Sequence, residues 1–329
     1  MLVTALGSLP GEDFAPAVRH MLTHLPELAP LPELPARGAT AQMIGRTLAV
    51  IEGLGFDLQP AGWRLTDHDG IDHQRATGLL RRDLDDWEEA VQGFTGTMKL
   101  SLAGPWTLTA SVERPRGDRV LADHGARRDL AAALAEGAHS LVTELRRRVP
   151  DVTWVLQVDE PALPAVQQGR ISTASGFSRH RSVAAAELSD ALATLARRVD
   201  DDVESVAVHC CAPGLDLEVV RRAGISTVAL DVGQLSTADL DALAAWVDED
   251  RGVWWGVLDA SRIDQVPRPD HLAERWLAVA ERLGHPLPVL VSGGALTPSC
   301  GLAGWSSGPV TAALRALREA ADLVEERLG

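Results

Sequence analysis

The chain alternates short apolar segments with longer segments of helical periodicity from one end to the other. Eight of the apolar segments have the length and composition of strands and stop close to Gly, Pro or Asp. They are residues 2–6, 55–59, 98–103, 153–158, 205–210, 227–231, 253–258 and 288–292. Strand–helix alternation predicts an α/β fold with a mainly parallel sheet, and eight such strands favour closure into a (β/α)8 TIM barrel.

The alternative fold, an open doubly wound sheet, is weakened because ALGSLPGED after the first strand contains no G-x-G-x-x-G motif. No internal repeat or low-complexity linker interrupts the pattern. We therefore predict one domain over residues 1–329, with insertions at 60–97 and 106–130. The predicted helical segments are 41–54, 118–149 (long enough for two helices), 182–199, 215–223, 237–247, 269–283 and 308–328.

Composition excludes several classes of protein. The net charge of −15, from 46 acidic against 31 basic residues, argues against a nucleic-acid binder, which would need a basic surface. No run approaches the roughly 18 apolar residues of a membrane helix, and no basic stretch precedes an apolar one near Met1. Three cysteines are too few for a disulfide framework and suit a reducing compartment. We expect a soluble cytoplasmic protein.

Polar and reactive residues stand where the predicted strands end. In a barrel the carboxyl ends of all strands meet at one face, where active sites are found. The residues at these ends are, in chain order, Gly7 and Ser8, Trp106, Asp159 and Glu160, His209 to Cys211, Asp231, Asp259 and Ser261, and finally Cys300. By contrast, we expect the tryptophans at 254 and 255 to pack on opposite faces of their strand.

Part of this set suits a metal ion. Imidazole and thiolate ligands favour Zn²⁺, and residues i and i+2 of a strand point the same way, so His209 and Cys211 can face one centre. Cys210 would then face the other side. Asp231 and Cys300 could complete a tetrahedron. H-x-C alone is a weak motif, since a buried cysteine more often only packs, and Asp231 could equally be a turn residue.

The same residues carry a family resemblance. In chain order the motifs are TALGSLP, LAGPWTL, LQVDEPAL, VHCC, VALD and LTPSCGL, spread over residues 4–302. Together they resemble T-x-I-G-S-F-P, T-G-P-V-T, Q-x-D-E-P-A-L, H-x-C, a strand ending in an acidic ligand and N-P-D-C-G-L of cobalamin-independent methionine synthases. The match is to the C-terminal catalytic barrel, as in short relatives that lack the N-terminal barrel.

This resemblance implies a zinc site that binds the sulfur of homocysteine and presents it to a methyl donor. The implied ligands are His209, Cys211 and Cys300, with Asp231 where the long enzymes have Glu. The implied substrate-binding residues are Leu6, Gly7 and Ser8 for the carboxylate and Asp159 for the amino group, with Trp106 and Glu160 beside them and Glu33 as a second candidate partner of the amino group. Zinc would convert a thiol with a pKa near 8.5 into the nucleophilic thiolate.

Two departures concern the methyl donor. LDASRID places Ser261 where the family's D-x-H-S motif has a histidine thought to move a proton; we take Asp259 and Ser261 as the catalytic candidates. PAGWRLTDHDG lacks the Lys- and Pro-containing segment that the family associates with folate. Because a methyl-folate needs a proton on its leaving nitrogen, the donor is left open between a folate and a corrinoid-borne methyl, which would involve a methyl-carrying partner protein.

Two other functions remain. One is a barrel lyase like uroporphyrinogen decarboxylase, which would use arginine clamps such as Arg19, Arg37, Arg46 and Arg64, although we expect these on the surface. The other is a non-catalytic zinc-binding relative with a decayed site, against which the intact GSLP and DEPAL motifs argue.

Overall fold

Eight parallel strands form one curled sheet at the centre of the molecule. The computed structural model describes residues 1–68 and 70–328. In chain order the strands of this sheet are β1 (Leu2–Val3), β2 (Ala29–Pro30), β5 (Gly96–Ala103), β6 (Val152–Asp159), β7 (Ser205–Cys210), β8 (Thr227–Asp231), β9 (Gly252–Leu258) and β10 (Ala295–Pro298), and a separate hairpin consists of β3 (Gly55–Gln59) and β4 (Gly62–Thr66). The spatial order is β1-β10-β9-β8-β7-β6-β5-β2.

The two edges of the sheet meet just beyond β1 and β2. The backbone N–H of Glu33 donates to the carbonyl of Gly7, and the N–H of Leu9 donates to the carbonyl of Glu33, both at 2.9 Å. Residues 8 and 33 form a parallel bridge at this point. These bonds close the sheet, and the predicted (β/α)8 barrel is confirmed.

Helices connect the strands and cover the outside of the sheet. They are α1 (Phe14–His24), α2 (Met43–Leu48), α3 (Ile71–Ala90), α4 (Pro105–Ser111), α5 (His124–Arg148), α6 (Leu163–Gln167), α7 (Ala185–Val199), α8 (Leu217–Arg222), α9 (Thr237–Asp248), α10 (Pro269–Leu283), α11 (Leu287–Val291) and α12 (Ser307–Glu325), with short 3₁₀ turns at Pro35–Arg37, Val120–Ala122 and Val232–Gln234. Within residues 1–68 and 70–328, every helix falls short of the length or apolar character that crossing a bilayer requires.

Alternation along the strands divides apolar from polar residues and sets the position of the site. Outward-facing residues such as Leu156 and Val208 join the large core beneath the helices. Inward-facing residues form a separate apolar layer inside the barrel, consisting of Leu6, Leu28, Val155, Ala207, Ala229, Trp254 and Ala295. Trp255 belongs to the outer core, so the two tryptophans pack on opposite faces as predicted. The polar residues occupy the next inward-facing positions, two residues closer to the carboxyl ends of the strands.

Two of the eight predicted barrel strands are wrong. Residues 55–59 do form a strand, but it pairs antiparallel with residues 62–66 in the hairpin outside the barrel. Residues 288–292 fall largely in α11, because a short apolar run does not distinguish strand from helix and Pro288 suits a first helical turn. The true second and eighth strands are β2 and β10, which have only two and four residues and contain proline.

Two helix predictions also change. The predicted helix over 41–54 is reduced to the six residues of α2. The segment 118–149 contains a 3₁₀ turn followed by the single 25-residue helix α5 rather than two helices. The hairpin joins the second predicted insertion, since the N–H of Leu65 donates to the carbonyl of Glu113 at 2.8 Å.

Candidate metal centre

The carboxyl ends of β7 and β10 bring three metal-ligand side chains together. Ligand atoms of His209, Cys211 and Cys300, called here the three-ligand group, all lie within 4.8 Å of one another. The alternation of β7 turns residues 209 and 211 inward, as the sequence predicts. The two sulfurs are 3.5 Å apart, close to the roughly 3.8 Å that two Zn–S bonds of about 2.3 Å would give at a tetrahedral angle.

The imidazole of His209 is held by a carboxylate from the neighbouring strand. Register places Asp159 of β6 beside His209 of β7, and Nδ1 of His209 lies 2.8 Å from Oδ1 of Asp159. Burial alone would lower the pKa of His209, but the hydrogen bond and charge of Asp159 outweigh it and raise that pKa. Nε2 is buried and has no hydrogen-bond partner in the described parts of the chain. A ligand on Nε2 would satisfy this atom, and the arrangement is the common one for metal-binding histidines.

The three cysteines differ in environment. A hydrogen bond joins the sulfurs of Cys300 and Cys211, and it lowers the pKa of Cys300 to about 6 while raising that of Cys211. Cys210 packs in the outer core, where burial raises the pKa of its thiol to about 12. The structure thus places Cys210 away from the three-ligand group, as predicted, in a site that disfavours its thiolate.

Asp231 lies at the edge of this arrangement. The three-ligand group, as the described residues define it, does not include its carboxylate. Oδ1 of Asp231 instead accepts a hydrogen bond from the N–H of Gly233 at 2.8 Å, and burial raises the pKa of this half-buried acid. Asp231 nevertheless lines the same cleft as Cys211 and Cys300. Its role as a fourth ligand stays a prediction.

The turn after β9 and helix α10 contribute further residues to this cleft. Asp259 accepts hydrogen bonds from the N–H of Ser261 at 3.0 Å and from its hydroxyl at 2.6 Å. These bonds hold the pKa of Asp259 below its usual range. Arg275 of α10 also lines the cleft. No sequence pattern singles out Arg275, because it lies within an ordinary amphipathic helix.

The loop after β1 reaches the centre of the site. Gly7 has a φ of 99°, and a Cβ on it would lie only 2.9 Å from Oε1 of Glu33, so a glycine is required. The Ser8 hydroxyl occupies the space beside Gly301, where a Cβ would approach it to 1.7 Å. Ser8 therefore lies next to Cys300. The side chain of Leu6 belongs to the apolar layer below.

The side chains of Trp106 and Glu160 are not part of the three-ligand group. The carboxylate of Glu160 accepts hydrogen bonds from the N–H groups of Trp106 and Thr107 at 2.9 and 2.8 Å and from the Thr107 hydroxyl at 2.7 Å. Burial raises the pKa of Glu160 to about 7. The indole N–H of Trp106 donates to the carbonyl of Leu188 on α7. Both residues thus hold α4 in place, and their assignment to substrate binding stays a prediction.

A set of buried polar atoms without partners surrounds the space next to Gly7. Within the described residues these include Oε1 of Glu33, Oγ of Ser101 and Nη2 of Arg46. Arg46 is only 5 % exposed, so its expected surface position is wrong; its Nη1 donates to the carbonyl of Ser101 at 2.7 Å and lies 3.9 Å from Glu33. Burial raises the pKa of Glu33 to about 7. Unpaired buried groups are costly and point to a polar ligand.

Lys99 lies inside the barrel, and the sequence motifs did not identify it. It is fully buried in the barrel, and burial lowers its pKa to about 7. Its ammonium donates to the carbonyl of Ala5 at 2.5 Å and to Oε1 of Gln157. A signal was present in the composition, because this is the only lysine in a chain with 30 arginines.

Comparison with known proteins agrees with this geometry. The family model described as "Cobalamin-independent synthase, Catalytic domain" matches residues 91–323, which is well over half of the chain. No curated protein sequence matches the chain.

Two solved structures have similar folds. A B12-independent methionine synthase from Shewanella sp. W3-18-1, in complex with selenomethionine, has 14 % identity and a TM-score of 0.66, and the match covers 99 % of this chain and 98 % of that one. A methyltransferase from Methanosarcina mazei has 11 % identity and a TM-score of 0.55, covering 96 % of this chain and 85 % of that one. At such identities the likeness shows the shared barrel.

Proposed function

The chain belongs to the family of cobalamin-independent synthase catalytic domains, which are methyltransferases, and on that premise we propose that it methylates the thiol of homocysteine to form methionine at a zinc centre. The observation that carries the proposal is the grouping of His209, Cys211 and Cys300 within 4.8 Å, with Nε2 of His209 buried and unpaired. A zinc ion bound there would lower the pKa of the substrate thiol, so that the sulfur attacks as thiolate. We further propose that residues 1–329 act as one catalytic unit.

The residues beside the three-ligand group suit an amino acid substrate. We propose that the buried carboxylate of Glu33 binds its ammonium group, with Asp159 contributing negative charge nearby. The loop of Leu6, Gly7 and Ser8 would bind its carboxylate through backbone N–H groups and the Ser8 hydroxyl. The selenomethionine complex of the Shewanella enzyme supports a ligand of this class in such a barrel.

Asp231 would act at the boundary between metal and solvent. Since its carboxylate stands outside the three-ligand group, we propose that it is a weak or displaceable partner of the metal. A displaceable position is what an incoming substrate sulfur requires. One methylene less than the family's glutamate is consistent with this looser role.

The methyl donor would enter through the cleft that Asp259, Ser261 and Arg275 line. Asp259 has a lowered pKa and is ionised at neutral pH, which makes it a poor proton donor. We therefore propose a donor whose leaving group needs no proton from this face, such as a corrinoid-borne methyl on a partner protein. A methyl-folate is the competing donor.

The lyase alternative finds less support. Arg37 forms two hydrogen bonds of 2.7 Å to Asp83, and Arg64 is paired with Glu113, so neither is free to clamp a substrate carboxylate. The three thiols are all free, and we propose the reducing cytoplasm as the compartment in which the enzyme acts.

The decisive experiment is a methyl-transfer assay with homocysteine and a panel of donors comprising methyl-folates, methylcobalamin and small methyl compounds. We expect methionine with at least one donor in zinc-loaded protein, and none with Cys211→Ser. If zinc-loaded protein makes no methionine with any donor, and homocysteine does not alter the sulfur coordination of the metal, the proposed function is wrong.

A further inference from the structure

The only lysine of the chain is fully buried inside the barrel. Every other strongly basic residue is an arginine, so a bias against lysine acts on this sequence everywhere except at position 99. A compact ammonium with three donors differs from a planar guanidinium in size and geometry. The exception indicates that position 99 requires the compact amine of lysine.

The side-chain nitrogen of Lys99 has three contacts inside the barrel. Two are directed to the carbonyl of Ala5 and to Gln157, and the ammonium lies 4.9 Å from the centroid of the Trp254 ring, within cation–π distance. The Lys99 nitrogen donates to both oxygens, and the neutral amine that a pKa of about 7 permits still has two N–H groups for them, so the atom of Gln157 that faces it is the amide oxygen. The orientation of the Gln157 amide is thereby determined.

Two further hydrogen bonds connect Gln157 to His209. With its oxygen on Lys99, Gln157 directs Nε2 to Oδ1 of Asp159 at 2.7 Å. The same Oδ1 lies 2.8 Å from Nδ1 of His209. An ionised carboxylate only accepts, so the proton of a neutral His209 ring must reside on Nδ1, and Nε2 keeps its lone pair.

We propose that Lys99 is a positioning residue of the metal centre, which acts through Gln157 and Asp159 to select the His209 tautomer whose Nε2 can bind the metal. The proposal rests on the zinc centre proposed above. Without the Lys99 amine, the Gln157 amide can turn over and place its oxygen toward Asp159. Asp159 then loses one donor, faces repulsion and can turn away from His209, and only then is the ring free to adopt the tautomer with a proton on Nε2, which cannot bind a metal.

The test uses the full chain labelled with ¹⁵N-histidine, free of metal, at about pH 9, well above the usual imidazole pKa. Two-bond ¹H–¹⁵N spectra report the tautomer, and a His209→Gln sample identifies the signals of His209. We expect the Nδ1–H form alone in the natural chain and a mixture of tautomers in Lys99→Met. Zinc affinity by chelator competition should fall about 10-fold in that variant, the lower end of effects on groups that orient metal ligands.

Gln157→Glu provides a second arm if Lys99→Met does not fold. The new carboxylate still accepts from Lys99 but cannot donate to Asp159, so the same mixture of tautomers is expected with the lysine intact. Arg46→Met is the matched control: it removes another buried cation of the barrel that lies outside this chain of hydrogen bonds, and the His209 signals should not move. A double variant, Lys99→Met with Gln157→Glu, should bind zinc no more weakly than the worse single variant.

Unchanged His209 signals and zinc affinity in folded Lys99→Met and Gln157→Glu would overturn the inference. The tautomer is read without metal or substrate, so this outcome is separate from the fate of the proposed function. If the natural chain binds zinc at the three-ligand group but transfers no methyl group, the proposed activity is wrong. The His209 spectra still decide whether Lys99 has the proposed role.

Discussion

Glu33, Lys99, Asp159 and His209 lie inside the barrel, whereas Asp231, Asp259, Ser261 and Arg275 line the cleft at its mouth; we call them the inner and outer groups. The inner residues are at most 6 % exposed. Their hydrogen bonds join β5, β6 and β7 and the loop after β1. The acids of the outer group bond within their own turns, to residues two positions away.

This difference indicates which half of the site is free to change. A buried charge needs its partners, so replacing one inner residue leaves another unpaired at considerable cost. A turn acid at the mouth keeps contact with water and its own backbone, so replacing it disturbs little else. We infer that sulfur binding is the rigid part of this protein, and that the donor side is where it departs from its family.

The largest effect should come from the cysteines that join the two groups. Cys211→Ser and Cys300→Ser should each reduce zinc content from about one per chain to near zero, because a neutral hydroxyl is a poor replacement for a thiolate ligand. Cys210→Ala is the control, and it should retain zinc because its side chain packs in the outer core. Metal analysis of purified protein gives the result. If only the Cys210 variant lost zinc, the assignment of Cys211 and Cys300 as the metal ligands would be wrong.

The next largest effect should be at Glu33. Glu33→Gln should raise KM for homocysteine about 10- to 100-fold, the usual cost of removing a hydrogen bond to a charged group. Glu113→Gln is a matched control, since Glu113 is also a buried acid but pairs with Arg64 away from the site. An equal KM in both variants would show that the inner group does not bind the amino group.

The pH dependence should distinguish Glu33 further. Burial raises its pKa to about 7, so the carboxylate that attracts an ammonium is present above that pH and lost as the pH falls through it. KM in the natural chain should therefore rise as the pH is lowered from about 8 to 6, through the pKa of Glu33. Glu33→Gln should lack that dependence. A KM that rises toward high pH instead would contradict the ammonium contact.

Glu160 should affect stability rather than binding. Its three hydrogen bonds hold the start of α4, and Glu160→Ala should lower the free energy of unfolding by about 1–3 kcal/mol through unsatisfied donors. Denaturant unfolding and steady-state kinetics on the same samples separate the two roles. A large rise in KM at unchanged stability would restore Glu160 to the substrate site.

The smallest effects should be in the outer group. Asp231→Asn should change zinc affinity by less than about 3-fold, since its main partner is the N–H of Gly233 and a surface turn contact is worth little. Chelator competition measures this change, with His209→Gln as the strong reference. If Asp231→Asn weakens zinc as much as His209→Gln, then Asp231 is a firm ligand and the distinction between the groups fails.

Much of the site follows from local pattern alone. Alternation along a strand predicts that His209 and Cys211 share a side and that Cys210 does not, and strand ends predict where reactive residues meet. These inferences succeed because side-chain direction in a strand depends only on position along the chain. The same rule correctly separates Trp254 from Trp255.

The partners of each buried group, by contrast, follow only from the three-dimensional arrangement of the strands. Glu33 meets Arg46 and Gly7 only because the sheet closes at β2, a two-residue strand with no strand-like pattern. Lys99 finds Gln157, 58 residues away, and Asp159 reaches His209 across a gap of 50 residues. Burial makes such pairings obligatory, but their identity depends on strand register, which residues distant in sequence determine together.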